Sequence, residues 1–190
     1  KAAAAVTDSL GTGRDVRLCE RAVTDIHPVR ERTLDVPTDR RAQVLRAADA
    51  AARAVSPSIT QVTASLLSRE QHVLIANSDG LYTGDTRVYT RLLCSAVAGD
   101  GAQNQTGSEN PGARMGFELF SERVNPEEVG RTAATSAVTM LSAPYCAAGE
   151  MPVVIAGGFG GVIFHEACGH SLEATSVAPG ISEFSGKLGQ

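Results

Sequence analysis

ITQVTASLLSREQHVLIANSDGLYT, residues 59–83, is the stretch that decides the fold of this chain. Apolar and polar side chains alternate over residues 59–67, as they do in a strand with one buried face. A second apolar run leads into residues 77–80, whose Asn-Ser-Asp-Gly sequence favours a tight turn. Further strand patterns follow at residues 81–83 and 88–97. We therefore predict an antiparallel meander in the middle of the chain.

Two helices flank the predicted meander. Residues 39–55 carry apolar side chains at helical spacing, and the following Ser-Pro pair ends the pattern. The second helix begins at Asn125, where Asn is a suitable N-cap, Pro126 suits the first turn and Glu128 can complete a capping box. It is predicted to run to residue 142. Residues 99–114 are polar and rich in glycine, which predicts an exposed loop.

These elements predict an α+β fold in which helices pack on an antiparallel β-sheet. A short apolar strand at residues 151–156, a glycine elbow at 157–161 and a helix from Val162 are expected to follow it. We predict a boundary near residue 150, between an amino-terminal and middle α+β region (1–150) and the start of a catalytic region (151–190). The alanine-rich residues 1–10 are predicted to end a helix. With no initiator Met and an end soon after residue 170, we expect a truncated fragment of a larger protein.

Composition excludes several functions. The net charge of -4 gives no sequence-independent attraction to nucleic acid, so we expect no direct nucleic-acid partner. The four cysteines form no CxxC pair, which favours reduced thiols and a cytoplasmic protein. The longest apolar stretch, residues 151–164, is too short and too rich in glycine to span a bilayer, so we expect no membrane association.

The candidate site is the run His165-Glu166-Ala167-Cys168-Gly169-His170. Two imidazoles and an adjacent carboxylate are the side chains of a hydrolytic zinc centre. A common zinc-protease helix has its histidines four residues apart, whereas here they are five apart. At about 100° per residue, that spacing separates them by about 140° around a regular helix. The turn must therefore be distorted, by a π-type bulge or by loosening at Gly169.

The spacing suggests a role for each residue. His165 and His170 are the predicted metal ligands, and Gly169 between them leaves room for an ion. Glu166 is the predicted catalytic residue, which takes a proton from water and returns it to the leaving amine. A catalytic zinc usually has three protein ligands, so the third is either Glu173 or a residue outside this chain. Cys168 projects to the opposite side and is expected to be a packed thiol.

Other interpretations remain open at this point. Two histidines and a glutamate within six residues also occur by chance on solvated helix faces. The glycine cluster at 157–161 follows a predicted strand like a phosphate-binding loop, but it lacks the Lys-Ser/Thr of a P-loop and the third glycine of the dinucleotide fingerprint. His27, before a proline, is expected in a loop, and His72 is expected to be a cross-strand or surface residue.

The carboxy-terminal motifs resemble those of the TldD/PmbA family, also called modulators of DNA gyrase. The resemblance is carried by GEMPVV at 149–154, GGV at 160–162, HEACGH at 165–170, LEA at 172–174 and FSGKLG at 184–189. A looser likeness extends back to about residue 40. Two departures, Phe159-Gly160 in place of a frequent Trp-Pro and Ala174-Thr175 in place of Gly-Asp, suggest a divergent branch.

The resemblance implies a TldD-like metallopeptidase of the His-Glu-x-x-x-His type. It implies that His165 and His170 bind zinc, that Glu166 is catalytic, and that a cysteine in the carboxy-terminal part of the family, beyond this chain, is a further ligand. Zinc is thus expected as cofactor, although this fragment by itself is expected to bind it weakly or not at all. The implied substrates are unfolded peptides or small peptide precursors, and the implied partner is a PmbA-like family member in a homo- or hetero-oligomer. The alternative is an inactive regulatory subunit that binds a partner such as gyrase.

Overall fold

The computed structural model describes residues 16–190, so the predicted helix end within residues 1–10 lies outside the described residues. The chain divides into two compact units, Lys1–Pro144 and Tyr145–Gln190. The predicted functional boundary near residue 150 stays a prediction. Within the described part of the chain, no helix is long and apolar enough to cross a membrane.

The described part of the first unit, residues 16–144, contains a sheet of five strands and three α-helices. Its elements, in chain order, are β1 (Cys19–Glu20), α1 (Thr38–Arg53), β2 (Ile59–Ala76), β3 (Leu81–Gly99), β4 (Asn104–Glu109), β5 (Gly112–Ala113), α2 (Leu119–Glu122) and α3 (Pro126–Ser142). A 3₁₀ turn at Thr33–Asp35 precedes α1. These elements confirm the predicted α+β fold class.

Strand β3 organises the sheet, because the other four strands all pair with it. β2, β4 and β5 run antiparallel to β3, and the short β1 runs parallel to it. β2 and β3 form one long hairpin instead of the separate short strands that the sequence predicted. The predicted turn at its tip is confirmed: Asn77 Oδ1 accepts hydrogen bonds from the amides of Asp79 and Leu81, and Gly80 has a φ of 89°.

The core lies between one face of the sheet and helices α1 and α3, and small side chains dominate it. Even-numbered residues of β3 from Val88 to Ala98 face the helices, as their burial shows. The residues at zero exposure are Ala48, Ala52, Leu92, Ala96, Ala98, Ala133, Ala134 and Ala137. Alanine side chains on both helices allow the two backbones to approach closely. At Gly130 of α3 this approach leaves no room for a side chain against Ala48 of α1.

The predicted exposed loop at residues 99–114 is wrong, because this segment contains strands β4 and β5. β4 pairs with β3 from Cys94↔Glu109 to Gly99↔Asn104. Gly107 lies where β4 crosses α3, and a Cβ there would come within 2.5 Å of the Ala137 amide nitrogen and 2.7 Å of Ser136 Cβ. The glycine that suggested a loop is therefore needed for close packing in the core.

Helix α3 begins as the sequence predicts. Asn125 Oδ1 accepts hydrogen bonds from the amides of Glu127, at 2.9 Å, and Glu128, and Pro126 occupies the first turn. These bonds satisfy amides that have no partner within the helix. The reciprocal half of the predicted capping box does not form, since the Glu128 carboxylate pairs with Arg131 one turn further on.

A buried carboxylate fixes the segment that precedes α1. Glu118 is 7% exposed, and its side chain accepts hydrogen bonds from the amides of Arg30, Glu31 and Gly116. Burial raises the pKa of this carboxyl group, but the backbone N–H groups that point at it lower the pKa further, so the net effect is a lowered pKa. Glu118 therefore holds residues 30–31 against the start of α2 as an ionised group.

The second unit consists of short helical turns. A 3₁₀ turn at Gly158–Gly161 leads into α4 (Val162–Phe164), a π-helix at His165–Gly169, a 3₁₀ turn at His170–Leu172 and α5 (Ala174–Val177). The predicted strand at residues 151–156 is wrong. Among the described residues this segment pairs with no strand, and its side chains are exposed, with Val154 at 98%. Its apolar character alone does not make a strand without a neighbouring edge to pair with.

Candidate metal centre

The helix that carries the predicted site is distorted at the motif itself. It changes from α to π geometry at His165 and to 3₁₀ geometry at His170. The amide of His170 donates to the carbonyl oxygen of His165, which is the i→i+5 hydrogen bond of a π turn. This confirms that the five-residue spacing requires a distorted turn. The two histidines are the two ends of that turn.

The π turn brings the two imidazoles together. Their ring centroids are 4.3 Å apart, and the ring planes are inclined by 64°. Each of His165, Glu166 and His170 offers one ligand atom, and these three atoms lie within 4.8 Å of one another. Two atoms bound to one zinc at about 2.1 Å lie at most about 4.2 Å apart. The three ligand atoms therefore lie close to the separation that a shared ion requires.

Gly169 leaves room for the imidazole of His165, and the room for an ion that the sequence analysis expected there stays a prediction. A Cβ at this position would lie 3.2 Å from His165 Nδ1 and 3.6 Å from its Cγ. Any side chain at residue 169 would thus press on the imidazole of His165. The glycine leaves this ring free to turn toward His170.

Glu173 supports His170 from the side away from the cluster. Its Oε1 lies 2.8 Å from Nδ1 of His170, and its Oε2 accepts a longer hydrogen bond from Thr175. The hydrogen bond with His170 and that residue's charge lower the pKa of Glu173, so the carboxylate is ionised. Nε2 of His170 then faces Glu166 Oε2 at 3.5 Å and is the nitrogen available to an ion. A carboxylate that holds the second nitrogen of a ligating histidine is a common feature of zinc sites.

The cluster is open to solvent within its own unit. The side chains of His170 and Glu166 are 54% and 64% exposed. Cys168 lies outside the cluster, and its Sγ donates to the carbonyl oxygen of Phe164 at 3.1 Å. The thiol is half-buried, and its expected role as a packed side chain stays a prediction.

The remaining histidines lie in the first unit. His27 is exposed in a loop, where its amide donates to Asp25. His72 lies on the hairpin between Glu70 and Thr86, with ring nitrogens 3.1 and 3.2 Å from their side chains. Both positions match the predictions of a loop and a cross-strand residue. The sequence analysis missed a groove on the hairpin that is lined by arginines. The available signal was that Arg69 on β2 and Arg91 on β3 alternate with the residues that face the core, which places both on the opposite face of the sheet.

Comparison with known sequences identifies the family to which this chain belongs. Residues 31–141, more than half of the chain, match the sequence profile of the "PmbA/TldA metallopeptidase central domain". The chain belongs to the PmbA/TldD family. The matched residues cover most of the first unit, from the loop that Glu118 holds to the end of α3.

Curated members of the PmbA/TldD family show the same relationship. The chain is 35% identical over 156 residues to the metalloprotease TldD homolog of Haemophilus influenzae, a match that covers 80% of this chain and 32% of that protein. It is 34% identical over 158 residues to a metalloprotease of Methanothermobacter thermautotrophicus, covering 82% of this chain and 34% of that protein. The chain thus spans about a third of the length of these relatives.

A solved structure confirms the fold. A protein of Thermotoga maritima, described as a candidate modulator of a DNA gyrase, superimposes with a TM-score of 0.72. The match covers 96% of this chain and 41% of that protein, at 19% identity. At this level of identity the similarity concerns the fold alone.

Proposed function

We propose that this chain carries the metal-binding segment of a zinc-dependent peptidase of the His-Glu-x-x-x-His type. Its substrates would be unfolded peptides or small peptide precursors. The observation that supports the proposal most directly is the π turn, which gathers ligand atoms of His165, Glu166 and His170 within 4.8 Å. Relatives named metalloproteases support the same reaction class.

The donor set fits zinc. Two imidazole nitrogens and a carboxylate oxygen are ligand types that zinc accepts, and catalytic zinc sites use three protein ligands. His165 and His170 would hold the ion. Glu173 is engaged by His170 Nδ1, so we propose that the third protein ligand lies outside this chain. Zinc, when bound, supplies a Lewis acid that polarises a carbonyl group and activates water.

Glu166 is the proposed general base. Its carboxylate lies beside His170 Nε2, at 3.5 Å, and next to His165 in the sequence. From this position its oxygen can accept a proton from the attacking water and later donate it to the amine that leaves. His170 needs a fixed ring orientation for this geometry, which Glu173 provides through Nδ1.

The cellular compartment and the oligomeric state are also proposals. We propose a cytoplasmic protein that works in an oligomer with a PmbA-like family member, because all four cysteines are free thiols and the family resemblance implies paired subunits. The competing function is an inactive regulatory subunit. Metal content separates the two, since an inactive binding subunit has no need of the ion.

The decisive experiment uses the full-length protein with Glu166→Gln and His170→Ala. Elemental analysis measures bound zinc, and cleavage of an unfolded casein substrate measures activity. Glu166→Gln should retain zinc and lose activity by a factor of about 10²–10⁴, because it removes the proton acceptor. His170→Ala should lose both. Glu183→Gln, which alters an exposed carboxylate in the same unit, should change neither.

Two results would refute the proposal. Full-length wild-type protein without zinc would favour the inactive subunit. Unchanged turnover in Glu166→Gln would exclude this carboxylate as the base even if zinc is present.

A further inference from the structure

The hairpin carries a groove on the sheet face that points away from the helices. The groove has a volume of about 700 Å³ and crosses β2, β3 and β5. On β3, Val88, Thr90 and Leu92 are buried against the helices, so the alternate residues Tyr89 and Arg91 line the opposite face. This groove belongs entirely to the first unit and contains none of the proposed zinc ligands.

The strand register places charged and apolar side chains in alternate positions on this face. Leu67 lies opposite Arg91, and Arg69 lies opposite Tyr89. The two arginines are therefore diagonal neighbours about 7–8 Å apart, with their Cβ atoms somewhat closer. The apolar members are accessible, at 54% for Leu67 and 39% for Tyr89. Each arginine therefore lies directly across from an apolar side chain, and the two arginines lie on one diagonal of the group of four.

Gly112 of β5 provides room for one of these arginines. A Cβ at Gly112 would lie 2.9 Å from Arg91 Cβ and 3.1 Å from Arg91 Nε. The Arg91 side chain therefore lies across the glycine, along the floor of the groove. A larger residue at 112 would push the guanidinium out of this position.

The two arginines differ from their neighbours in charge pairing. Arg87 of β3 and Arg114, which follows β5 and also lines the groove, both pair with Asp85, at 2.7 and 3.3 Å. Within the described residues, Arg69 and Arg91 have no acidic side chain within ion-pair distance. Among the described residues, the groove thus presents two arginines without an acidic partner beside two exposed apolar groups.

We propose that this groove binds an extended, acidic polypeptide segment, through carboxylates on Arg69 and Arg91 and apolar side chains on Leu67 and Tyr89. Side chains at positions i and i+2 of an extended peptide lie about 6.6–6.8 Å apart on one face. That spacing matches the diagonal between the two arginines. The apolar side chains and the nearby Asp85 favour a peptide over nucleic acid, whose binding needs a continuous positive surface, and the whole chain has a net charge of -4.

The test is a direct binding measurement on the full-length protein, which requires no peptidase activity. A fluorescein-labelled peptide with two glutamates at i and i+2 and flanking leucines is titrated by fluorescence anisotropy. A peptide with glutamines in place of the glutamates is the ligand control. We expect the glutamate peptide to bind more tightly, and its affinity to fall as salt is raised to 0.5 M, because exposed charges are screened.

Variants locate the binding to the groove. Each exposed charge pair contributes a few-fold to affinity, so Arg69→Gln with Arg91→Gln should weaken binding about tenfold. Arg46→Gln, which removes an exposed positive charge from α1, should leave the affinity within about twofold. Gly112→Ala should weaken binding without any change in charge, because its Cβ would press on the Arg91 side chain and on the carbonyl oxygen of Thr90 and so displace the guanidinium. Unfolding midpoints establish that each variant is folded.

The proposal is overturned if glutamate and glutamine peptides bind equally, or if neither binds at millimolar protein. It is also overturned if Arg46→Gln weakens binding as much as the groove variants. Double-stranded DNA that binds more tightly than the peptide and competes with it would assign the groove to nucleic acid instead.

Discussion

Replacement of Gly130 by alanine tests the packing that supports the first unit. Gly130 is buried in α3 where this helix meets α1. A Cβ at this position would lie 2.8 Å from the carbonyl carbon of Ala48, 3.1 Å from its Cα, and closer still to its carbonyl oxygen. These are backbone atoms of a helix, so no side-chain rotation relieves the contact.

Two effects of opposite sign determine the expected change in stability. Alanine is favoured over glycine in a helix by about 1 kcal/mol, so the substitution would stabilise an exposed site. At Gly130, ordinary contact with the carbonyl carbon alone would require a movement from 2.8 Å to 3.4 Å, and the carbonyl oxygen is closer still, so α1 and α3 would have to separate by more than about 1 Å. Overpacking of this kind costs about 1–3 kcal/mol or more, and the neighbouring alanines lose contact as well. We expect a net destabilisation of about 2 kcal/mol.

Urea unfolding followed by circular dichroism measures this change. With a slope of about 2 kcal/mol/M, the midpoint should fall by about 1 M. Thr135→Ala, on the exposed face of the same helix, is the control and should raise stability by a few tenths of a kcal/mol. If Gly130→Ala is as stable as the wild type or more stable, helix propensity dominates and the inferred close approach of α1 and α3 is wrong.

Two further predictions concern carboxylates. Glu173→Ala in the full-length protein should weaken zinc binding 10- to 100-fold in competition with a chromophoric chelator, because His170 loses the partner that fixes its ring; Glu183→Ala is the control, and equal affinities would contradict the role. Glu118 has a pKa below that of the unfolded chain, so its stabilising effect is complete above the unfolded pKa and disappears as pH falls through the folded pKa. Glu118→Gln should destabilise the protein by about 1–3 kcal/mol at neutral pH, since an amide NH₂ group would face backbone donors. The difference from wild type should shrink below pH 4, and a difference independent of pH between 6 and 3 would refute the charge-based explanation.

Much of the first unit could be predicted because its signals are local. Alternation along β2, the Asn-Ser-Asp-Gly turn and the Asn125 cap each depend on a few neighbouring residues. β4 could not be predicted because its stability comes from distant partners, namely β3 on one side and α3 on the other. Gly107 lowers strand propensity locally but is the residue that permits the helix to pack. Tertiary packing thus reversed the local preference.

The candidate site was predictable in composition but only partly in geometry. The residue types and their spacing identified His165, Glu166 and His170 and required a distorted turn. The form of that turn depends on which backbone hydrogen bond closes, which the sequence alone left open between a π bulge and an unwound helix. The role of Glu173 was also open, because a carboxylate three residues after a histidine can approach either the ion or the ring. Its contact with Nδ1 distinguishes the two.

The π turn explains how two histidines five residues apart can lie on the same side of a helix, as histidines four apart do. In an α-helix, histidines four apart lie about 40° from each other, whereas five apart they diverge by about 140°. The i→i+5 hydrogen bond between His165 and His170 accommodates the additional residue, so the two imidazoles lie on the same side of the helix. The extra residue disturbs the regular hydrogen bonding of the helix, and such bulges occur mostly at functional sites. In this helix the bulge lies on the proposed ligands, and the glycine that precedes the second histidine removes the side chain that would otherwise crowd the first. Backbone distortion and glycine placement therefore act together, and a change to either should affect metal binding before it affects the stability of the first unit.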